Sequence, residues 1–236
     1  MMDILELAKQ EVKKVTKPEN LVDYQKFFKE KLEHRYHLKG PIFKKISALC
    51  FREIESRPKK EILDICDKFL ESDFHYGRGF AFHWALKIEK KLQKSDFVRL
   101  ERWFKKYVDN WGSSDVLSTG ALGSLINNYP ELTPKIFKWS KSKNRWDKRA
   151  SAVGLIVSLK NGKLLEEAFK TADVLLTDED DMVQKGYGWM LKEASLKFPD
   201  EVYNYIMKNK DRMPRTALRY ALERYPADKR KKAMAK

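Results

Sequence analysis

Apolar residues recur at three- and four-residue spacings along almost the whole chain, which is the period of a helix with one buried face. Glycine (10) and proline (8) are scarce among the 236 residues, and they fall at punctuation points rather than within the periodic runs. That pattern favours helices over a many-turned β fold. It predicts an all-α chain of thirteen short helices. The first covers about 3–15. A second starts near Pro18 and carries Leu21, Tyr24, Phe27, Phe28 and Leu32, and Pro41 opens a third with Ile46, Leu49, Cys50 and Ile54. Pro58 opens a fourth, a fifth from about Tyr76 carries Phe80, Trp84 and Leu86 inward, and Ser95 caps a sixth. Beyond these a polar turn at Trp111–Asp115 leads into a helix to about Asn128, followed by a short helix from Thr133-Pro134 through Trp139 and by helices over 145–160 ending at Asn161-Gly162, 163–176, 182–198, 200–209 and 214–225. Residues from 228 are basic and poor in apolar side chains, so they are expected to fray.

So many short helices could form one irregular bundle or a stack of helix pairs, and an internal repeat favours the stack. Arg78-Gly79-Phe80-Ala81, Arg149-Ala150-Ser151-Ala152, Lys185-Gly186-Tyr187-Gly188 and Arg215-Thr216-Ala217-Leu218 each place a cation near a helix start, followed by small residues. The cations are 71, 36 and 30 residues apart, one or two periods of about 35. Asp115 occupies the missing slot between Arg78 and Arg149. The expectation is one domain over 1–236, an α-solenoid of stacked HEAT-like antiparallel pairs whose second helices line a concave, basic face.

Charge supports such a face. Lys+Arg number 49 against 34 Asp+Glu, a net charge of +15. A field of that size attracts polyanions, nucleic acid being the commonest, although solubility alone also accounts for it. In the repeat register Arg149, Lys185 and Arg215 lie along one face, with Arg145 and Lys148 beside Arg149 and Arg219 one turn after Arg215. These are candidate phosphate contacts. A lone carboxylate in the row, Asp115, repels a backbone but suits a site where positive charge develops, as when an N-glycosidic bond breaks. The alternative is that Asp115 caps its helix. Trp111, Trp146 and Trp189 are candidates for stacking on bases or sugars, whereas Trp84, Trp103 and Trp139 lie within apolar stripes and read as core.

Other classes find no support. Cys50 and Cys66 sit in apolar helical patterns and read as small core residues of a reducing compartment. The four histidines have no cysteine partners at zinc spacing, so a metal site is not expected. No phosphate-binding glycine loop or nucleophile elbow occurs. No apolar stretch is long enough to span a bilayer and the N-terminal residues do not resemble a signal peptide, so a cytoplasmic protein without membrane contact is expected.

Four blocks carry a resemblance: Trp111-x-Ser113-x-Asp115, Trp146-x-x-Arg149-Ala150, Gln184-Lys185-x-x-Gly188-Trp189 and Arg215-x-Ala217. In this order and spacing they resemble the AlkD-like DNA alkylation repair glycosylases, from about Phe97 to Tyr225. The resemblance implies a monofunctional glycosylase that excises cationic bases, chiefly 7-methylguanine and 3-methyladenine, from duplex DNA without a cofactor. It implies that Trp111 and Asp115 flank the lesion, that Arg149 holds DNA backbone nearby, and that Trp189 lies against the duplex. A monomer is expected. Gly112 and Ser114 depart from the family's Trp-Asp-Ser-Val-Asp pattern, and Asn110 stands where a second Trp is usual. Two alternatives remain beside this reading: a non-catalytic DNA-structure-binding protein of the same fold, and a helical scaffold for acidic protein partners.

Overall fold

A computed structural model describes residues 3–29 and 31–235. The chain, read from its sequence as one domain, comprises two compact units, residues 1–88 and 89–236. Among the described residues, no helix is long and apolar enough to cross a membrane.

In the first unit α1 (Ile4–Val15) is capped by the Asp3 carboxylate, which accepts from the Leu5 N–H at 3.1 Å. The second predicted helix does not form. In its place a 3-10 turn at Pro18–Asn20 leads into β1 (Leu21–Asp23), which pairs antiparallel with β2 (Tyr36–Leu38) in the register Leu21↔Leu38, Val22↔His37 and Asp23↔Tyr36. The reason lies in partners distant in sequence. Tyr24 N–H donates to the Arg35 carbonyl at 3.0 Å, and Arg35 pairs with Asp23 at 2.5 Å. Gln25 donates to the Phe28 carbonyl and accepts from the Leu32 N–H.

Next come α2 (Gly40–Arg52), α3 (Lys59–Glu71) and α4 (Gly77–Lys87). Their core is aromatic: the Trp84 ring lies 4.7 Å from Phe69 and 5.4 Å from Phe80, and its indole N–H donates to the Ser47 carbonyl. Cys50 and Cys66 are buried free thiols, and burial pushes Cys50 up to about 11. Leu49 and Leu86, expected inside, are exposed.

The second unit stacks helices in two rows. One row holds α5 (Phe97–Tyr107), α8 (Thr133–Phe137), α11 (Leu165–Leu175) and α13 (Pro199–Asn209). The other holds α6 (Trp111–Thr119), α9 (Arg145–Val153), α12 (Asp181–Ala194) and α14 (Arg215–Ala221). Consecutive members of this second row touch: α6 packs on α9, α9 on α12 and α12 on α14. This is a helical-repeat fold, as the repeat spacing predicts. Two predicted helices are interrupted at glycines, Gly120 before α7 (Ala121–Asn128) and Gly154 before α10 (Ile156–Lys160). Asn161-Gly162 ends α10 as expected, with Gly162 at φ +74°. Gln93, rather than Ser95, caps the 3-10 turn that leads into α5.

The basic tail is not frayed. It forms α15 (Ala227–Met234) with Ala233 buried, and the Met234 carbonyl accepts from Arg215 Nη1 at 2.8 Å. Apolar contact of Ala233 and this cap hold a segment whose composition alone argues against order.

Candidate functional site

The site is built on the first turns of α6, α9 and α12. Asn110 caps α6: its side-chain oxygen accepts from the Ser113 N–H at 3.0 Å. Asp115 is the fifth residue of that helix and so does not serve as the cap. Its carboxylate is turned to α9. Arg149 Nε donates to Oδ1 and Nη2 to Oδ2, both at 2.8 Å, a parallel two-bond pair between residues 34 apart in the chain. The third nitrogen, Nη1, donates to the Met182 carbonyl of α12 at 2.6 Å. Arg149 is only 5% exposed and the Asp115 side chain 18%. Glycine at 186 makes room for the arginine, since a Cβ there would lie 3.0 Å from Arg149 Cγ.

The aromatic candidates differ from one another. Trp111, expected in a polar turn before the helix, is instead the first residue of α6, because Asn110 caps the helix ahead of it, and it is partly exposed. Trp189 on α12 is partly exposed as well, and its indole N–H donates to Glu193 Oε1 at 3.2 Å. Glu193 is buried and pairs with Arg224 at 2.9 Å and Lys160 at 3.3 Å. Burial works to raise its pKa, but the Arg224 and Lys160 contacts outweigh it and hold the carboxyl below its usual range. Trp84, Trp103 and Trp139 are core, as predicted, and Trp146, weighed with the stacking candidates, is core as well, buried on α9.

The cation row is more occupied than the sequence suggests. Arg145 pairs with Asp180 at 2.8 Å and Asp181 at 3.2 Å, Lys148 with Asp178 at 2.7 Å, and Lys185 with Asp181 at 3.2 Å. Arg215 is exposed but bonds the end of α15, and Arg219 is exposed. Arg149, which the resemblance places on DNA backbone, directs all three guanidinium nitrogens to protein oxygens. Among the described residues, no group of three or more His, Cys, Asp or Glu side chains could hold a metal ion.

Residues 8–225 match the family described as DNA alkylation repair enzyme. The chain belongs to this family. A solved structure described as a "Predicted DNA alkylation repair enzyme from Enterococcus faecalis" superposes with a TM-score of 0.70, covering 80% of this chain and 86% of that one at 19% identity. At that identity the likeness concerns the fold. No curated protein matches the chain. Membership of the DNA alkylation repair family gives the protein a role in repair of alkylation damage, and gives its helix row a context.

Within that context the sequence reading misses the carboxylates that answer the cations. Asp180 and Asp181 follow Arg145 by 35 and 36 residues, and Asp178 follows Lys148 by 30. These separations match the repeat period with charge reversed, so complementary charges one period apart are the signal that finds them. Glu193 is also missed as part of the site, and Gly186, read as one of the small residues of the repeat, is not matched to Arg149. The cues are an i, i+4 spacing from Trp189 and a glycine about one period, 37 residues, after Arg149 itself.

Proposed function

We propose that this protein is a monofunctional DNA glycosylase that excises cationic N-alkylpurines, 7-methylguanine and 3-methyladenine among them, from duplex DNA by hydrolysis of the N-glycosidic bond. The observation that carries the reading is the Asp115 carboxylate, freed from capping by Asn110 and oriented by two hydrogen bonds from a buried arginine. A cationic base leaves as a neutral molecule and takes the electron pair of its bond to the sugar carbon. The sugar left behind gains oxocarbenium character, and a fixed carboxylate in a site of low dielectric stabilises it. Water then adds to the sugar carbon and loses a proton, leaving an abasic site. The leaving group is already cationic, so neither a general acid nor a metal is needed.

In this scheme Arg149 positions Asp115, while Trp111 and Trp189 supply ring faces to the lesion side. Arg219 contacts phosphate directly, and Arg145, Lys148, Lys185 and Arg215 can do so where phosphate displaces their present partners.

The test is release of 7-methylguanine from methylated duplex DNA. Wild type is expected to release it, and Asp115→Asn, which keeps one acceptor oxygen for Arg149, is expected to be slower by about 10²–10³-fold with DNA binding retained. Binding by wild type without any release would identify a non-catalytic DNA-binding member of the family. Absence of binding at low salt would leave a scaffold for acidic proteins.

A further inference from the structure

The acidic turn before α12 has two kinds of carboxylate. Asp178 Oδ1 accepts from the Asp180 N–H at 3.0 Å, and Asp180 Oδ1 caps α12 by accepting from the N–H groups of Met182 (2.8 Å) and Val183 (3.3 Å). Both residues therefore hold the turn together, and each also pairs with a cation of α9, Asp178 with Lys148 at 2.7 Å and Asp180 with Arg145 at 2.8 Å. Asp181 is the first residue of a helix already capped by its neighbour, and its carboxylate bridges Arg145 and Lys185, each at 3.2 Å. The side chains of these pairs are about one-third exposed: 31% for Arg145 and Lys185 and 30% for Asp181. Pairs so open to solvent are weak and screened by salt, so phosphate can displace them. The Asp115–Arg149 pair, at 18% and 6% exposure with two parallel hydrogen bonds, is not of that kind.

We propose that Asp181 is a specificity-determining residue, an internal competitor for phosphate that occupies Lys185, and Arg145 together with Asp180, until a DNA backbone takes its place. The proposal rests on the DNA-binding reading above. In a protein of net charge +15, undamaged DNA is a vast competing ligand, held mainly through phosphate contacts that release counterions. A carboxylate that must be displaced from two cations of the row lowers affinity for every duplex. The penalty is recovered only where the lesion-side groups add binding of their own. The rival view is that Asp181 merely clasps α9 to α12.

The two views separate in the salt dependence of binding to undamaged duplex DNA of fixed length, followed by fluorescence anisotropy. Asp181→Asn is expected to bind about two- to tenfold more tightly at low salt, since the pair to Lys185 and one of the two pairs to Arg145 are removed, Arg145 keeping Asp180. The slope of log affinity against log salt should steepen by about 0.9–1.8, the counterion release of one or two added phosphate contacts. The thermal midpoint should stay close to that of wild type. Glu166→Gln makes the same change in net charge at a residue whose 86%-exposed side chain lies 3.9 Å from Lys170 of its own helix, and it should leave the slope unchanged. Adding Lys185→Gln to Asp181→Asn should take back part of the steepening. A wild-type slope in Asp181→Asn, or a fall in its midpoint without a change of slope, overturns the proposal in favour of the clasp. Wild type that fails to bind DNA at low salt instead removes the functional reading beneath it.

Discussion

A methyl group at position 186 would lie 3.0 Å from Arg149 Cγ and 3.4 Å from its Nη1. Arginine stems can yield by a few tenths of an ångström, but this one is fixed by three charge-assisted bonds, two of them to Asp115. Gly186→Ala is therefore expected to cost about 1–3 kcal/mol through overpacking. It should also slow base release by displacing the carboxylate that Arg149 orients. Paired measurements of the thermal midpoint and of release kinetics check this, and an unchanged rate would show that the carboxylate tolerates movement. Position 188 is tighter still, 2.7 Å from Tyr220 Cβ and 2.8 Å from the Ala217 carbonyl. The small residues that follow the basic positions were legible as sites of close approach. Which neighbour approaches was not, because the pairing partner of Asp115 depends on where the α6 cap falls. Asn110 and Asp115 are both good cap residues, and only the backbone path decides between them.

Among the elements, the β1–β2 pair teaches most. Leu21, Tyr24, Phe27, Phe28 and Leu32 have helical spacing, yet Leu21–Asp23 is a strand. Three-residue strands are too short for their period of two to show. Their stability comes from a partner 13 to 17 residues away, in the register Leu21↔Leu38 to Asp23↔Tyr36. This pair also brings imidazoles together. His75 lies 3.9 Å from His34 and 4.3 Å from His37 between ring centroids, with Tyr76 at 4.6 Å and Arg78 adding positive charge. Burial first, then the neighbouring His37 and His34, push His75 from 6.5 down to about 4. The folded state thus binds fewer protons than the unfolded chain between these values. The contribution to stability is complete above about pH 6.5 and is lost as pH falls through about 4. A thermal midpoint that drops between pH 6.5 and 4.5 is expected, and His75→Asn should flatten the drop. A flat wild-type profile would contradict this account.

On the scale of the whole chain, fold class was the easiest property to read, since both the 3.6-residue period and the recurrence near 35 residues report it directly. The helical tail was the hardest, since Ala227–Met234 has few apolar residues and owes its order to Ala233 and to bonds such as Tyr203 Oη to the Lys229 carbonyl at 3.2 Å. It is tied to α13 and α14 by these bonds and by the Arg215 and Lys210 side chains, which donate to the Met234 and Ala235 carbonyls. Truncation after Pro226 is expected to lower the thermal midpoint by about 2–4 °C for each kcal/mol lost, without changing the number of unfolding transitions. Scanning calorimetry of the shortened chain checks this. Finally, Arg149 spans more than its own pair of helices: it grips Asp115 on α6 and the Met182 carbonyl on α12 from its place on α9. The smallest piece able to hold this carboxylate in place therefore comprises three successive units, and modules cannot be swapped one at a time. A chimera that imports α12 from a relative inherits the site only if the foreign backbone returns a carbonyl to the same spot.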